Sequence, residues 1–415
     1  MIYTRSQSKE NSLSACGYSY MKNGGSRLRA LNAVLMMLFI AACGGGGNSS
    51  APAGSPPVSF TYSAPEYIND GWNVAHLDDE GIDSQQIIDM MNLILNGTYP
   101  GIDSVAIAKN NKLVLYWFDE NRPLHSSDWQ INNTDRERHI LASTTKSFTS
   151  ALIGIAIDQG YIGSTQVKLL NFFSYPEYAN WDPRKADISL EDVLTMRLGF
   201  VWDEWELPYS NPNNDLVYLE NNNNDWIKAL LDLPVAHDPG TEYTYNTAAS
   251  IALGQVLENT TGIPMADFAN NNLFLPMQII NADWWLTPTG LPNGGSGLFL
   301  TNRDLAKFGQ LYIDGGIWQG QQVISAEWIA DSVTQHVDIS SWSNSEGYGF
   351  QWWIDRFSYN GQPVEAWTTK GYGGQYLFAI PSLDLVVSFT GRNRDNGVGP
   401  GILYTMTQTV VSAVN

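Results

Sequence analysis

The sequence predicts a mixed α/β fold of the α+β type. An antiparallel sheet built from both ends of the chain is flanked by helices and accompanied by a mostly helical lobe. Two observations predict this arrangement. Short segments rich in β-branched and aromatic residues occur at 104–118 and again at 348–391. Between them, at 166–285, helical patterns and loops predominate. Strands at both ends of a chain with helices between them imply one sheet assembled from the two ends.

The first predicted elements are a helix, a hairpin and a second helix. The segment DSQQIIDMMNLILNG, residues 83–97, has apolar residues at the spacing of one helix face. SVAIAK and KLVLYWF predict two strands, and Asn110 and Asn111 between them are typical of a tight turn. The next helix begins at Ser143 and is expected to run to about Gly160.

The middle of the chain predicts three helices in the segments SLEDVLTMRLG, NDWIKALLDLP and NTAASIALGQVLENTTG. Ser189 and Asp192 are spaced as in a capping box, and Gly262 is suited to end the third helix. Residues 209–224 are rich in Asn and Pro and predict a loop. The adjacent acids of FVWDEW indicate a loop turn.

The last third of the chain predicts helices and four strands. TNRDLAKFGQLYIDGG, with Thr301 as N-cap, and ISAEWIADSV precede the strand segments YGFQWWID, EAWTTK, QYLFAI and DLVVSFTG. A final helix is expected at 401–413. The predicted domains are therefore a sheet domain at 61–165 and 286–415, and a mainly helical lobe at 166–285.

Composition excludes some classes of function. The 415-residue chain has 42 acidic and 22 basic residues, and such an anionic surface repels phosphate backbones. Nucleic-acid binding is therefore not expected. The five histidines show no zinc-ligand spacing and no H-E-x-x-H motif. We expect neither a metal nor a cofactor, and nothing in the sequence indicates an oligomeric state.

The first 42 residues have the character of a bacterial lipoprotein signal peptide. A basic stretch precedes an apolar stretch at 31–42 that is too short to span a bilayer well. That stretch ends in IAAC, which resembles a lipobox and implies lipidation of Cys43. Residues 43–60 would then be a flexible linker to a membrane of the cell envelope. A buried helix is the alternative, which the Gly-rich segment after Cys43 disfavours.

The most reactive pattern is Ser143-x-x-Lys146. Residues three apart share one helix face, so the two side chains can meet. A serine becomes a nucleophile when a neighbouring base takes its proton, and a desolvated lysine can act as that base or tune another. A helix N-terminus also favours an oxyanion. The alternative is a helix cap with a solvated lysine, but no other charge occurs until Asp158.

Several segments resemble the serine β-lactamase and penicillin-binding protein superfamily, in particular its class-C-like branch of esterases and 6-aminohexanoate-dimer hydrolases. They are, in order, ASTTKSFTSALIGIAIDQG, DVLTMRLGFVWDE, DLPVAHDPGTEYTYNTAASIALGQVLENTTG, GGSGLFLTNRDLAKFGQLYIDGG and GYGGQYLFAIPSLDLVV. The resemblance spans roughly 85–413. It implies a β-lactamase/transpeptidase-like fold, with Ser143 as nucleophile and Lys146 beside it.

The family's second motif is Tyr-x-Asn, whose tyrosine shuttles protons. By its flanking residues this motif maps onto Tyr245, which the resemblance implies as the general base. Thr247 then stands where the family has asparagine, which weakens any inference that a substrate amide binds there. A literal YSN begins at Tyr209 but lacks the family flanks. Tyr209 is therefore interpreted as a chance match or as part of the pocket lining.

The third motif of the family is Lys-Thr-Gly or His-x-Gly on a strand beside the serine. TTKGYGG aligns with Gly371 on the motif glycine, which puts Thr369 at the basic position. Lys370 follows one residue later and, in a strand, is expected to point to the opposite face. The backbone N–H groups of Ser143 and Tyr372 would form the oxyanion hole.

The resemblance implies a serine hydrolase that forms an acyl-enzyme with a small ester or amide. The absence of a basic residue at 369 argues against efficient recognition of a substrate carboxylate. A β-lactamase or D-Ala-D-Ala carboxypeptidase of the same fold is the first alternative. The second is a non-catalytic binding protein of the cell envelope, against which the intact Ser143, Lys146 and Tyr245 argue.

Overall fold

The computed structural model describes residues 59–393 and 400–415, which belong to one compact unit. The predicted signal peptide, Cys43 and most of the linker lie outside the described residues. The predicted sheet and helical regions therefore both fall within the same compact unit.

The main sheet combines strands from both parts of the chain, as predicted. Within the described residues its nine strands lie in the order β1-β3-β2-β14-β13-β12-β11-β10-β9, and all neighbouring pairs are antiparallel except β1 with β3. The fourteen strands there are β1 Asn73–Val74, β2 Ile102–Lys109, β3 Lys112–Phe118, β4 Arg138–Ile140, β5 Asp283–Trp284, β6 Leu298–Thr301, β7 Ile317–Trp318, β8 Gln321–Gln322, β9 Val337–Asp338, β10 Gly347–Tyr348, β11 Trp353–Tyr359, β12 Gln362–Gly371, β13 Gln375–Ile380 and β14 Leu385–Gly391.

The predicted hairpin is confirmed. β2 and β3 are joined by Asn110 and Asn111, whose φ angles of 53° and 58° are those of the tight turn that asparagine tolerates. One predicted strand is interrupted. The segment at 348–355 bends at Gln351, whose φ is 65°, because its side-chain amide donates to the carbonyl oxygens of Val193 and Leu194.

The predicted helices also form. The helices of the described residues are α1 Ser84–Leu95, α2 Ser126–Gln130, α3 Thr145–Asp158, α4 Leu190–Leu194, α5 Asp215–Asn222, α6 Trp226–Leu231, α7 Thr247–Thr261, α8 Met265–Ala269, α9 Asn302–Ile313, α10 Ala326–Val333 and α11 Gly401–Ala413. The capping box at Ser189, the cap at Thr301 and the left-handed Gly262 are confirmed. The predicted loop at 209–224 is wrong in part, because α5 forms there.

The helix within the predicted loop, α5, has Asn214 as its N-cap. The Asn214 side chain accepts hydrogen bonds from the backbone N–H groups of Leu216 and Val217, which caps the helix. Leu216 and Leu219 are buried and lie three residues apart, on one face of the helix. Two apolar contacts and a cap therefore outweigh the asparagine-rich composition.

Helices cover both faces of the main sheet. On one face, α9 packs against β2, β13 and β14, and α3 packs against α7 beside it. The other face is covered by α1 and α11, which also contact each other. The short turn before α3 packs against the ends of β12 and β13. This contact places the start of α3 at the edge where the central strands end.

No helix at 59–393 or 400–415 is long and apolar enough to cross a membrane. No group of three His, Cys, Asp or Glu residues in the same ranges is arranged to hold a metal ion.

Candidate active site

Ser143 lies in a strained turn. It is the middle residue of the 3₁₀ turn Ala142–Thr144, which leads directly into α3. Ala142, just before it, has a φ of 46°, a left-handed conformation that L-residues rarely adopt. Such strain costs on the order of 1–3 kcal/mol and persists only where surrounding contacts hold it, which is common at active sites.

The serine turn is held against the sheet edge. The Thr144 hydroxyl donates to the carbonyl oxygen of Gln375 at 2.7 Å and lies 3.0 Å from the hydroxyl of Thr369. Gly371, at the end of β12, is so close that a Cβ there would lie 2.3 Å from the carbonyl oxygen of Leu141. Glycine at 371 therefore allows β12 to approach the serine turn.

The side chain of Lys146 is buried and its amine contacts three oxygen atoms. Nζ lies 3.0 Å from Ser143 Oγ, 3.0 Å from Thr247 Oγ1 and 2.8 Å from the carbonyl oxygen of Gly295. An ammonium group has three N–H donors, so each proton of the charged form has an acceptor. None of these acceptors is a carboxylate. The solvated lysine of the alternative interpretation is therefore wrong.

A buried carboxylate, Glu204, lies one hydroxyl group away from Lys146. Its oxygens accept from the Thr247 hydroxyl at 2.7 Å, the Thr247 backbone N–H at 2.7 Å, the Tyr209 hydroxyl at 2.9 Å and the Trp202 indole N–H at 3.0 Å. An ionised carboxylate only accepts hydrogen bonds. The Thr247 hydroxyl therefore donates to Glu204 and accepts from Lys146, which gives this chain of hydrogen bonds one direction.

Burial lowers the pKa of the Lys146 amine to about 8, because the ammonium loses its hydration there. The negative charges of Glu204 and Glu220 act in the opposite direction and limit the fall. A group with such a pKa is neutral in about a tenth of the molecules at pH 7. Glu220 lies on α5, and burial together with the charge of Glu204 raises its own pKa to about 7.

Tyr245, which lies two residues before α7, completes the cluster. Lys146 Nζ lies 4.9 Å from the centroid of its ring. Burial and then the charge of Glu204 raise the pKa of Tyr245 well above its usual value, whereas the nearby Ser143 side chain lowers it. The structure thus brings Ser143, Lys146, Tyr245 and Thr247 together, with Glu204 behind them.

Comparison with known families agrees with this arrangement. The profile of the Beta-lactamase family matches residues 95–398, which is more than half of the chain. The chain belongs to the Beta-lactamase family. The predicted β-lactamase/transpeptidase-like fold is confirmed.

Proteins similar to this chain include hydrolases. The chain is 25% identical over 275 residues to the 6-aminohexanoate-dimer hydrolase of Paenarthrobacter ureafaciens, which covers 60% of this chain and 65% of that protein. EstCE1, a hydrolase with promiscuous acyltransferase activity, has a TM-score of 0.62 at 15% identity and covers 79% of this chain and 99% of its own. A family VIII carboxylesterase has a TM-score of 0.57 at 15% identity, and the match covers 79% of this chain and 96% of the carboxylesterase chain. The chain thus spans slightly less than two thirds of the curated relative, and the two structures show the fold.

The third motif departs from the pattern of the Beta-lactamase family, and its two polar residues lie on opposite faces. Thr369 is buried beside the serine turn. Lys370 lies outside the serine cluster. Its amine contacts the Ser345 hydroxyl and lies 3.2 Å from the Asp355 carboxylate. The same amine lies 4.6 Å from the centroid of the Trp353 ring. The opposite orientation of these neighbours follows from the alternation of a strand.

Two tyrosines of the predicted site lie around the cluster. The hydroxyl of Tyr209 bonds to Glu204, so this residue supports the carboxylate and not the serine. Tyr372 lies in the turn between β12 and β13, with its ring centroid 5.2 Å from that of Tyr209. The role of the Tyr372 backbone N–H in an oxyanion hole stays a prediction.

Sequence reasoning missed Glu204 and Gly295. The adjacent acids Asp203 and Glu204 indicated only a loop turn, although Glu204 accepts four hydrogen bonds in the buried cluster. The available signal was an acid among tryptophans in FVWDEW. Gly295 offers its carbonyl oxygen to Lys146, and a Cβ there would lie 2.7 Å from the carbonyl oxygen of Thr247. Glycine at 295 thus allows the backbone to approach the start of α7 closely.

Proposed function

We propose that the chain hydrolyses a small, neutral ester or amide through an acyl-enzyme formed on Ser143. The observation that carries the proposal is the 3.0 Å contact between the Lys146 amine and the Ser143 hydroxyl in a buried cluster. A serine hydroxyl is a weak nucleophile until a nearby base takes its proton. A buried lysine whose pKa is lowered is such a base.

The directions of the pKa shifts support Lys146, rather than Tyr245, as the group that takes the serine proton. The resemblance to the family assigned proton removal to Tyr245 and a tuning role to Lys146. However, a phenol whose pKa is raised is rarely ionised and is better suited to donate a proton. The Lys146 pKa of about 8 leaves a usable neutral fraction.

In the proposed reaction, neutral Lys146 takes the Ser143 proton while Oγ bonds to the carbonyl carbon. The π electrons of the C=O bond move to its oxygen, and we assign the stabilisation of this oxyanion to the backbone N–H groups of Ser143 and Tyr372. When the intermediate collapses, Tyr245 protonates the leaving oxygen or nitrogen and is reprotonated by Lys146. Water then attacks the acyl-enzyme and releases the acid by the same proton route.

Glu204 acts as a positioning residue in this scheme. It orients the Thr247 hydroxyl so that its lone pair faces Lys146, and its charge opposes the loss of the Lys146 proton. The Lys146 amine also donates to the carbonyl oxygen of Gly295. Its contacts with Thr247 and Gly295 therefore hold it beside the Ser143 hydroxyl. This arrangement keeps the Lys146 amine beside Ser143 without a direct ion pair.

The charges around the site support a substrate without a carboxylate near the scissile bond. Thr369 occupies the basic position of the third motif, and the Lys370 amine is bonded on the other side of the strand. Glu204 and Glu220 both lie close enough to act on the charge of Lys146. A β-lactamase or D-Ala-D-Ala carboxypeptidase activity remains the alternative of the same fold, and both of its substrates carry a carboxylate.

A hydrolysis panel tests the proposal. Purified protein is assayed with p-nitrophenyl acetate, short neutral amides, linear amide oligomers and a chromogenic cephalosporin, beside Ser143→Ala and the exposed-serine control Ser126→Ala. We expect ester or amide turnover that Ser143→Ala abolishes and Ser126→Ala retains. Turnover of the cephalosporin alone would support the β-lactamase alternative. Absence of labelling by a fluorophosphonate would support a non-catalytic binding protein.

We also propose that the enzyme is anchored to the cell envelope through a lipid on Cys43. The lipobox-like IAAC and the Gly-rich segment after it support this proposal. Metabolic labelling with tritiated palmitate in a bacterial host tests it. The wild type should be labelled and recovered in the membrane fraction, whereas Cys43→Ser should not. Labelling that persists in the variant would contradict the anchor.

A further inference from the structure

An exposed aromatic surface lies beside the serine cluster. We call it the aromatic wall: Trp205 and Trp342 are its exposed members, and the buried rings of Tyr245 and Trp353 contact Trp205. The Trp205 and Trp342 side chains are 49% and 38% exposed, although large apolar side chains are usually buried. Nothing in the proposed proton transfers uses either indole. Their exposure next to a reactive cluster therefore requires another explanation.

Stacking connects the exposed part of the wall to the reacting groups. The Trp205 ring lies 4.8 Å from the Tyr245 ring, with 21° between their planes, and 6.3 Å from Trp353 at 24°. Trp342 is 6.0 Å from Trp205 and is tilted by 56°. Tyr245 thus contacts the buried Lys146 amine on one side of the cluster and an exposed indole on another.

The backbone around Trp205 is held in place. Its N–H donates to the Asp203 carboxylate at 2.9 Å, and the preceding residue, Glu204, is held by four hydrogen bonds. The position of the indole is therefore tied to the same carboxylate that orients Thr247. A surface fixed in this way can contribute to binding without a large loss of entropy.

We propose that Trp205 and Trp342 bind the leaving group of the substrate, and that this leaving group is a neutral, flat aromatic alcohol or amine. The inference rests on the proposed function, in which Tyr245 protonates the leaving atom. A group whose reacting atom meets the Tyr245 hydroxyl lies beside the ring on which Trp205 stacks. Offset stacking of a flat ring on these indoles extends the existing stack.

The charges nearby select against an anionic leaving group. Glu204 and Glu220 both act on the charge of the Lys146 amine, and among the described residues the third motif directs no lysine toward the serine cluster. A neutral aromatic group avoids repulsion by these acidic residues and keeps its stacking contact. The wall therefore narrows the substrate class from any small ester or amide to those that release a neutral aryl alcohol or amine.

The test compares esters that share an acyl group. Values of kcat/KM are measured for 2-naphthyl acetate and ethyl acetate with the wild type, Trp205→Ala, Trp205→Phe and Trp342→Ala. The ratio of variant to wild type on each ester cancels the different intrinsic reactivities. We expect Trp205→Ala to lower kcat/KM about tenfold more on 2-naphthyl acetate than on ethyl acetate. Trp205→Phe should recover part of this loss, and Trp342→Ala should show a smaller selective loss.

A matched control is available at Trp181. This indole is 54% exposed and stacks on Tyr178 at 6.1 Å, but it contacts none of the residues of the aromatic wall. Trp181→Ala should leave kcat/KM unchanged on both acetates. The control separates the loss of a binding surface from a general effect of removing an exposed tryptophan.

Two outcomes would overturn the inference. Equal losses of Trp205→Ala on both acetates would mean that the indole only supports Tyr245. A selective loss on ethyl 2-naphthoate, whose aromatic group is on the acyl side, would place the aromatic subsite on the other half of the substrate. Failure of the proposed function itself is distinguishable, because Ser143→Ala would then retain hydrolysis of 2-naphthyl acetate.

Discussion

Two lysines with little exposed side chain, Lys146 and Lys370, have opposite surroundings. Lys146 contacts a serine, a threonine and a peptide carbonyl, and its nearest carboxylate is one hydroxyl away. Lys370 contacts the Asp355 carboxylate directly at 3.2 Å. Burial lowers the pKa of both amines, but the charge and hydrogen bond of Asp355 act directly against it at Lys370. A buried amine can thus serve as a base where a hydroxyl group separates it from the nearest carboxylate.

This comparison predicts that replacing Lys146 by methionine lowers activity, whereas replacing Lys370 by methionine lowers stability. Lys146→Met should lower kcat/KM on p-nitrophenyl acetate on the order of 10³-fold, because it removes the base. Its stability to urea should be equal to or above that of the wild type, since no carboxylate loses a direct partner. A variant that keeps more than a tenth of the activity would show that Lys146 is not the base.

Lys370→Met should show the reverse behaviour. We expect a loss of about 3 kcal/mol in the free energy of unfolding, because Asp355 would stay buried without its cation. Activity per folded molecule should remain within about threefold of the wild type, since the Lys370 amine is not among the contacts of Ser143. Urea denaturation and active-site titration measure the two quantities. A large loss of activity in the folded variant would contradict the separation of the two sites.

The pH profile sharpens the comparison. If neutral Lys146 is the active form, kcat/KM should rise about tenfold per pH unit below the pKa and level off above about pH 8. Glu204 raises the Lys146 pKa, so Glu204→Gln should move the rising part of the kcat/KM profile to lower pH by about one unit. Glu220→Gln is the matched control and should move it less in the same direction. A shift to higher pH in either variant would contradict the assignment.

The smallest expected effect concerns the hydroxyl between Lys146 and Glu204. Thr247→Val keeps the side-chain shape but removes the acceptor for Lys146 and the donor to Glu204. We expect kcat/KM to fall about tenfold, because the Lys146 amine loses one of the hydrogen bonds that hold it beside Ser143. Thr247→Ser should restore it. No difference between valine and serine would mean that the hydroxyl does not transmit the influence of Glu204.

Much of the fold could be predicted because its signals are local. Segments rich in β-branched and aromatic residues predicted the strands on both sides of the helical segment, and Asn110 and Asn111 predicted the hairpin turn. The helix at Asp215–Asn222 was missed because composition hid a cap and two apolar contacts. The bend at Gln351 was missed because its side chain bonds to residues more than 150 positions away.

The sequence alone determined that Ser143 and Lys146 share a helical turn, that Thr369 and Lys370 point apart, and that the chain resembles serine hydrolases. Helical and strand periodicity act over a few residues, so they can be read from spacing. Only the tertiary structure decided which groups surround the Lys146 amine. Its acceptors Thr247 and Gly295 lie 101 and 149 residues away, and Glu204 is reached through one of them. The proton affinity of the amine depends on burial and on these distant partners, which no local pattern contains.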